Sequence, residues 1–246
     1  MKSEILKSEV TRLFRLWPTT ELLTEKDIDE YGFLNSSPSL FGFEYLLLKK
    51  ATLVLAPPFL GKTFVLESIY KYLSDSNEQG NESYKFGKFI SFTQLESYSR
   101  LSKPLPTWWS EWIKSSKKAC WIIDALDEGE HREVGLSDYF LSILEKLQSA
   151  RDRLTLIISS REAELPRKFL NLLKKIYGDD FVTVELAPLD RVNAGKIVGD
   201  KAFQNALTII KRFDLQSIAS YPTVVKYLSG RSCEESISEI EVWKGV

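Results

Sequence analysis

A short apolar run, Thr52 to Leu55, leads directly into a proline-containing loop that ends in Gly61-Lys62-Thr63, and then into a segment with helical periodicity. A strand, a Gly-Lys-Thr loop and a helix in this order form the Walker A arrangement, in which loop N–H groups surround phosphate oxygens. The positive end of the helix dipole also favours bound anions. This feature predicts a nucleotide-binding α/β domain and constrains the fold more than any other in the chain.

The residues expected to contact the nucleotide run through this loop, and two of them have specific roles. Lys62 is expected to reach the β- and γ-phosphates of ATP, and the Thr63 hydroxyl to ligate Mg²⁺. Ala56 stands where the usual pattern has its first glycine, and the two prolines after it remove N–H donors. The alternative is a Gly-Lys-Thr that merely opens a surface helix. The expected ATP contacts are Ala56, Pro57, Pro58, Phe59, Leu60, Gly61, Lys62, Thr63 and Phe64.

A second apolar run, Ala119 to Ile123, ends in the acidic residues of a Walker B segment. Ligands of doubly wound sheets collect at the carboxyl ends of the strands, so Asp124 is expected beside the phosphate loop, where it would hold Mg²⁺ through water. Asp127 or Glu128 is then expected to orient and deprotonate the attacking water. A buried strand capped by a solvated acidic turn is the alternative, and the presence of both motifs in the right order argues against it.

A third run, Leu154 to Ser159, continues into Ser160 and Arg161. Hydroxyls and a guanidinium at the end of a strand are suited to sensing or neutralising a γ-phosphate, so Arg161 is a candidate catalytic residue. The alternative is a plain surface arginine.

Between Ala51 and Pro188, β-leaning apolar runs alternate with helix-like segments, which is typical of a parallel sheet covered by helices on both faces. The chain is therefore expected to be an α/β P-loop NTPase with a mostly parallel sheet flanked by helices. The predicted strands are Thr52 to Leu55, Lys88 to Phe92, Ala119 to Ile123, Leu154 to Ser159 and Phe181 to Leu186. The predicted helices are Lys62 to Leu73, Thr107 to Lys114, Ser137 to Ala150 and Pro166 to Ile176.

Two further regions flank this domain, which is expected to span residues 51–188. Residues 1–50 are expected to form a lead-in that begins with a helix from Glu4 to Trp17, because its apolar residues recur at helical spacing. Residues 189–246 are expected to form a small helical subdomain, with breaks at Asp214, at Tyr221-Pro222 and at Gly230.

Composition and charge exclude several classes of protein. The formal net charge of -1 gives no general attraction to nucleic acid or membranes, so a nucleic-acid partner is not indicated. No apolar run approaches the roughly 18 residues that span a bilayer, and the N-terminus mixes charges too early for a signal peptide. The two cysteines, Cys120 and Cys233, have neither metal-site nor disulfide-framework spacing. These observations predict a cytoplasmic protein without a membrane partner.

Three tryptophans, Trp108, Trp109 and Trp112, precede the Walker B strand at helical spacing. Packing of one helix against the sheet is the simpler explanation for them. A surface that stacks on nucleic acid or binds a protein partner is the alternative.

Together these residues resemble the STAND class of signalling NTPases, and within it the NACHT group. The most specific part is Asp124-Ala125-Leu126-Asp127-Glu128, since that group carries a small residue after the first aspartate and paired acids after the next apolar residue. Ser159-Ser160-Arg161 resembles the group's Thr-Ser-Arg sensor. Leu186-Ala187-Pro188-Leu189 resembles its Leu-x-Pro-Leu step into the helical subdomain. The resemblance extends from about Leu40 to about Gly230.

The resemblance implies an ATP- and Mg²⁺-dependent switch in immune or antiphage defence, whose NTPase domain binds a protein partner or further copies of itself. It also implies that Pro222, in Ser220-Tyr221-Pro222, lies against the adenine. Two features depart from the group: Ala56 replaces a glycine, and no winged helix with a phosphate-sensing histidine follows, since His131 is the sole histidine. The missing winged helix, together with a sequence that stops within a helix-like segment, leads us to expect a fragment of a longer protein, or a reduced switch that borrows its sensor from a partner.

Two other functions stay open. An AAA-type motor or loader acting on DNA or protein shares both Walker motifs, although the Asp-Ala-Leu-Asp-Glu spacing speaks against it. A non-hydrolysing scaffold would keep the nucleotide only as a structural ligand of the altered loop. The most informative measurement is identification of the nucleotide that copurifies with the protein, together with a steady-state ATPase assay.

Overall fold

The structure is a computed structural model that describes residues 12–17, 27–35, 40–78, 88–91, 107–124, 136–161, 167–232 and 238–245. The chain divides into two units. We call Phe43–Pro57 with Lys62–Val184 the sheet unit, and Met1–Gly42 with Pro58–Gly61 and Glu185–Val246 the helical unit. The middle of the predicted phosphate loop thus belongs to the helical unit, whereas its two flanks belong to the sheet unit.

Strands and helices alternate through the sheet unit, whereas the helical unit contains the first strand, the end of the last strand and the last four helices. The strands are β1 (Phe14–Leu16), β2 (Ala51–Leu55), β3 (Lys88–Ser91), β4 (Ala119–Asp124), β5 (Leu154–Ser160) and β6 (Phe181–Leu186). The helices are α1 (Glu44–Leu47), α2 (Lys62–Glu78), α3 (Thr107–Lys114), α4 (Leu136–Leu147), α5 (Arg167–Tyr177), α6 (Arg191–Val198), α7 (Asp200–Arg212), α8 (Pro222–Ser229) and α9 (Glu239–Gly245). Within the described ranges, none of these helices combines the length and the apolar character needed to cross a bilayer.

The sheet has the strand order β1-β6-β2-β5-β4-β3. β5 therefore lies between β2, which leads into the predicted phosphate loop, and β4, which ends at Asp124. The pairs of β2 with β5, of β5 with β4 and of β4 with β3 are parallel. Leu55 lies opposite Ser160 and Ile123 opposite Ile158, so the carboxyl ends of these strands meet at one edge. The predicted fold class, a mostly parallel α/β sheet flanked by helices, is confirmed.

The central strands β2 and β4 are buried along their whole length. Burial on both faces explains why their sequences are continuous apolar runs instead of alternating patterns. The Thr52 hydroxyl donates a hydrogen bond to the Leu46 carbonyl (3.4 Å), which satisfies the polar atom within the apolar strand. Burial also raises the pKa of the Cys120 thiol to about 12. Cys120 therefore behaves as a small apolar residue of β4 at neutral pH.

A group of tryptophans covers β4 in the sheet unit. Trp109 and Trp112 of α3 are 1% and 0% exposed. Their ring centroids lie 4.6 Å and 5.3 Å from that of Trp121 in β4. The Trp112 indole N–H donates to the Lys117 carbonyl (3.0 Å), so its polar atom is paired. The prediction that α3 packs against the sheet is confirmed for these two tryptophans.

Three helices of the helical unit, α6, α7 and α8, share an apolar core. The Asp190 carboxylate caps the start of α6 by accepting a hydrogen bond from the Asn193 N–H (2.9 Å). α7 ends before Asp214, which has a φ of 56°. α8 begins at Pro222, where a missing N–H costs nothing, and ends before Gly230, so the three predicted breaks are confirmed. The largest residues of this core are Phe33, Phe203, Leu189, Leu207, Ile209, Ile210, Leu215, Ile218 and Leu228.

The predicted helix from Glu4 to Trp17 is wrong in the part that the structure describes, and its earlier part lies outside the described residues. Phe14–Leu16 form the strand β1 instead. The Phe14 N–H donates to the Phe41 carbonyl (2.9 Å), and Arg15 Nη2 forms an ion pair with a Glu185 carboxylate oxygen (2.7 Å). The Phe41 carbonyl pairs a backbone N–H of this extended segment, and Glu185 pairs its arginine side chain. These distant partners override the helical spacing of the apolar residues, on which the prediction rested.

Replacing Trp112 by alanine should lower the free energy of unfolding by about 3 to 5 kcal/mol, because a fully buried ring is removed and a cavity remains. The control is Leu48→Ala. Leu48 is 78% exposed, and its replacement should change the free energy of unfolding by less than about 0.5 kcal/mol. Urea unfolding followed by circular dichroism measures both variants. Equal losses in the two variants would contradict the core position of Trp112.

Candidate functional site

Two hydroxyl groups and one carboxylate meet at the end of β4. The Thr63 hydroxyl donates a hydrogen bond to Asp124 Oδ2 (2.7 Å), and the Ser159 hydroxyl donates one to Asp124 Oδ1 (2.5 Å). Asp124 and Ser159 are buried, at 7% and 0% exposure, whereas Thr63 is exposed. A buried serine thus orients a carboxylate that lies beside a solvent-accessible hydroxyl. Hydroxyl and carboxylate oxygens are the ligands that Mg²⁺ prefers in proteins.

The strand order brings these three residues together. Ser159 is the next-to-last residue of β5, and Asp124 is the last residue of the neighbouring β4. Thr63 is the second residue of α2, which follows the loop after β2, the other neighbour of β5. The first N–H groups of a helix have no intrahelical acceptor, so the start of α2 also offers donors suited to phosphate oxygens.

Lys62 and Ala56 lie at the two ends of the predicted phosphate loop and contact each other. The Lys62 ammonium donates to the Ala56 carbonyl at 3.5 Å. Ala56 is buried, and its N–H donates to the Ser160 carbonyl (3.2 Å). This bond continues the ladder between β2 and β5 by one residue. Ala56 is therefore held as an extension of the strand.

Positive φ values occur later in the loop, at Phe59 (65°) and Gly61 (88°). Of the described residues other than glycine, only Phe59 and Asp214 adopt such values. A left-handed backbone costs a residue that has a Cβ about 1 to 3 kcal/mol, and it persists where the surroundings hold it. Alanine in place of the first glycine is compatible with this loop, because the left-handed positions lie elsewhere.

In the helical unit, this part of the loop contacts residues around α8 and α9. The Phe59 ring centroid lies 5.7 Å from that of Trp243, which lies 5.3 Å from that of Tyr221. A Cβ on Gly61 would lie 3.4 Å from Pro222 Cγ. Pro222 therefore lies beside Gly61, the glycine of the loop. Its contact with adenine stays a prediction.

Arg12 also contacts the loop, although no sequence motif identified it. Its Nη1 donates to the Leu60 carbonyl and its Nη2 to the Ala187 carbonyl, both at 2.8 Å. Burial lowers the pKa of Arg12 to about 10, and the negative charge of Asp190 acts in the opposite direction. The guanidinium stays charged at neutral pH. Both acceptors are backbone carbonyls of distant segments, so the only signal in the sequence was an arginine next to apolar residues.

The other predicted site residues are exposed or lie outside the described part of the chain. Arg161 directly follows β5 and is exposed, which suits either a phosphate contact or a plain surface arginine. Pro57, Pro58 and Phe64 are exposed, as is Phe59. Asp127 and Glu128 lie outside the described residues, and their catalytic roles stay predictions.

Comparisons with known proteins bear on the fold. No protein-family model matches the chain. No curated protein matches it either.

Solved structures do match. Domain III of the Thermotoga maritima replication initiation protein DnaA matches with a TM-score of 0.51 and 13% identity, over 92% of this chain and 98% of that domain. A DNA replication initiation factor matches with a TM-score of 0.45 and 16% identity, over 82% of this chain and 56% of that one. C. elegans PCH-2 matches with a TM-score of 0.37 and 13% identity, over 68% of this chain and 43% of that one. The first match shows that the fold of this chain is similar to that of DnaA domain III.

The Ser159 hydroxyl should contribute measurably to stability, because it donates to a buried carboxylate. Ser159→Ala should lower the free energy of unfolding by about 1.5 to 3 kcal/mol. Ser68→Ala is the control, since the Ser68 hydroxyl donates to a neutral acceptor, the Phe64 carbonyl, on the surface of α2 (2.9 Å). Its loss should stay below about 0.5 kcal/mol. Urea unfolding without nucleotide compares the two variants, and equal effects would contradict the role given to Ser159.

Proposed function

We propose that this chain is a Mg²⁺-dependent ATPase that uses Lys62, Thr63 and Asp124 to bind ATP. The observation that carries the proposal is the hydrogen bond from the Thr63 hydroxyl to the Asp124 carboxylate. P-loop NTPases hold Mg²⁺ with a hydroxyl of the loop and an aspartate at the end of a neighbouring strand. The Lys62 ammonium, next to the Ala56 carbonyl, supplies a positive charge at the same end of the loop.

The residues present fit Mg²⁺. Thr63 offers a hydroxyl oxygen and Asp124 a carboxylate, and Mg²⁺ keeps several waters, so one or two protein oxygens suffice. When bound, Mg²⁺ would neutralise charge on the β- and γ-phosphate oxygens. Ser159 would keep the Asp124 carboxylate in a fixed orientation through its hydrogen bond.

The other proposed site residues would each have a separate role in ATP hydrolysis. Lys62 would hold β- and γ-phosphate oxygens, and Arg161 would balance charge on the γ-phosphate. Asp127 or Glu128 would accept a proton from the attacking water. The water oxygen bonds to the γ-phosphorus while the bond from that phosphorus to the β–γ bridging oxygen breaks. ADP and inorganic phosphate are then released.

Among P-loop ATPases, we place AAA-type function first. The match to DnaA domain III extends over 92% of this chain and 98% of that domain, which supports a comparable arrangement of elements from end to end. The spacing of Asp124-Ala125-Leu126-Asp127-Glu128, taken alone, favours the NACHT-type switch over an AAA-type function. We therefore infer a nucleotide-operated loader or motor that assembles with copies of itself and acts on DNA or protein. Replication initiation, named for the matched domain, is one setting for such a function.

A NACHT-type switch in immune or antiphage defence is the second candidate. It is favoured by Asp124-Ala125-Leu126-Asp127-Glu128, with its small residue and paired acids. The two candidates differ in what stimulates them. Faster ATP turnover with duplex DNA or an unfolded protein favours the loader or motor. ATP-driven assembly that neither addition changes, measured by mass photometry, favours the switch.

Lys62→Ala should weaken ATP binding at least about tenfold, about 1.4 kcal/mol, because the charge on the β- and γ-phosphates is lost. Lys118→Ala is the matched control, since Lys118 is exposed and directly precedes β4, at the end of the strand opposite Asp124. Calorimetric titration with ATP and Mg²⁺ measures both affinities. Unchanged affinity in Lys62→Ala would overturn the phosphate-loop assignment.

Two further variants separate metal binding from hydrolysis. Asp124→Asn should reduce both turnover and the gain in nucleotide affinity that Mg²⁺ provides, because it removes a negative charge at the metal. Glu128→Gln should bind ATP normally and lose turnover by roughly 10²- to 10⁴-fold, the contribution of a positioned general base. If Asp127 is the base, Asp127→Asn shows that loss instead.

Phosphate release and calorimetry provide the two readouts. Wild-type protein that binds ATP without turnover, even with a partner present, would replace the ATPase by a nucleotide-bound scaffold.

A further inference from the structure

We propose that Arg12 is a positioning residue of the phosphate loop, whose buried guanidinium fixes the Leu60 carbonyl and thereby the loop conformation that receives the phosphates. The inference rests on the proposed function and deepens it. Arg12 would control nucleotide affinity through the loop backbone, without contact with the reacting atoms.

Arg12 connects two stretches of backbone within the helical unit. One arm of its guanidinium, Nη1, donates to the Leu60 carbonyl, and the other, Nη2, donates to the Ala187 carbonyl. The next residue, Leu13, accepts a hydrogen bond from the Ala187 N–H (2.9 Å). Arg12 and Leu13 therefore hold Ala187 in place, and the same guanidinium ties Leu60 to it.

The charge of Arg12 is deeply buried, at 4% exposure. Burial of a guanidinium is unfavourable unless acceptors surround it. Two carbonyls and the charge of Asp190 provide part of that compensation. Arg12 Nε, however, has no hydrogen-bond partner among the residues that the structure describes.

The loop needs support from outside because it has few donors of its own. Pro57 and Pro58 lack N–H groups. Leu60 lies between two residues with positive φ, Phe59 and Gly61. Successive turns of this kind direct backbone N–H groups to one side, where they bind anions. A donor fixed on the Leu60 carbonyl would hold the turn in that shape.

The guanidinium also packs against the loop at Gly61. A Cβ on Gly61 would lie 3.2 Å from Arg12 Nη1, which leaves little room for any side chain there. Gly61 directly precedes Lys62, the residue proposed to hold the phosphates. Removal of the guanidinium would release the Leu60 carbonyl and leave space beside Gly61, so the backbone before Lys62 would no longer have a fixed path.

Arg12→Gln in the full chain tests this role, with Arg15→Gln as the matched control. Arg15 lies three residues further along the same segment, and its Nε and Nη2 both contact Glu185 (2.9 Å and 2.7 Å). ADP with Mg²⁺ is titrated by calorimetry at a temperature where circular dichroism shows each variant to be folded. Arg12→Gln should weaken ADP binding about tenfold, and Arg15→Gln should change it less than about twofold.

Steady-state turnover separates positioning from a purely structural role. Arg12→Gln should raise KM for ATP while kcat changes less than about twofold, because the guanidinium would act on binding in the ground state and the transition state alike. Arg12→Lys keeps the charge but lacks the planar fork that spans two carbonyls, so its KM should lie between those of the wild type and Arg12→Gln.

The outcomes distinguish this inference from the proposed function. Wild-type protein that binds neither ADP nor ATP overturns the proposed function itself. Wild-type affinity for ADP in folded Arg12→Gln, with only a lower melting temperature, overturns the positioning role alone. If Arg12→Gln does not fold, Arg12→Lys decides, and an unchanged KM in that variant overturns the inference.

Discussion

The position of β5 between β2 and β4 is the constraint on which the candidate site depends. Parallel pairing on both sides of β5 brings Ser159 next to Asp124 and carries Ser160 level with the last residue of β2. Because all these strands end at one edge, their polar residues collect there while the apolar residues before them stay buried. The tryptophans of α3 pack on Trp121 and cover the strand that delivers Asp124. The sheet core thus holds the carboxylate in place.

The phosphate loop depends much more on residues outside it. Its first residue continues the β2 ladder, and its last glycine lies beside Pro222. Between them, Phe59 adopts a backbone conformation that is unfavourable for a residue with a Cβ and rests on Trp243. Arg12 binds the next carbonyl. A loop with few donors of its own is thus shaped by side chains from both terminal regions of the helical unit.

The sequence predicted correctly those elements that are specified by the pattern of their own residues. Phe181–Leu186 and Thr107–Lys114 were predicted with the bounds they have, because an apolar β-leaning run marks the strand and tryptophans at helical spacing mark the helix. The proximity of Thr63 and Asp124 could be predicted because Thr63 lies in the loop and helix after one recognisable strand and Asp124 lies at the end of another. Arg12 could not be found, since its acceptor at Ala187 lies 175 residues away. The same distance effect explains the wrong helix at Phe14–Leu16, whose backbone partners are remote in sequence.

The contact between the Phe59 and Trp243 rings has a consequence for how this chain can change during evolution. Glycine at position 59 would remove the backbone strain, but it would also remove one of the two ring contacts of Trp243, whose other contact is Tyr221. An aromatic residue at 59, in contrast, leaves a half-exposed ring that benefits from a partner. In an alignment of relatives, an aromatic residue at position 59 should therefore be accompanied by an aromatic residue at position 243.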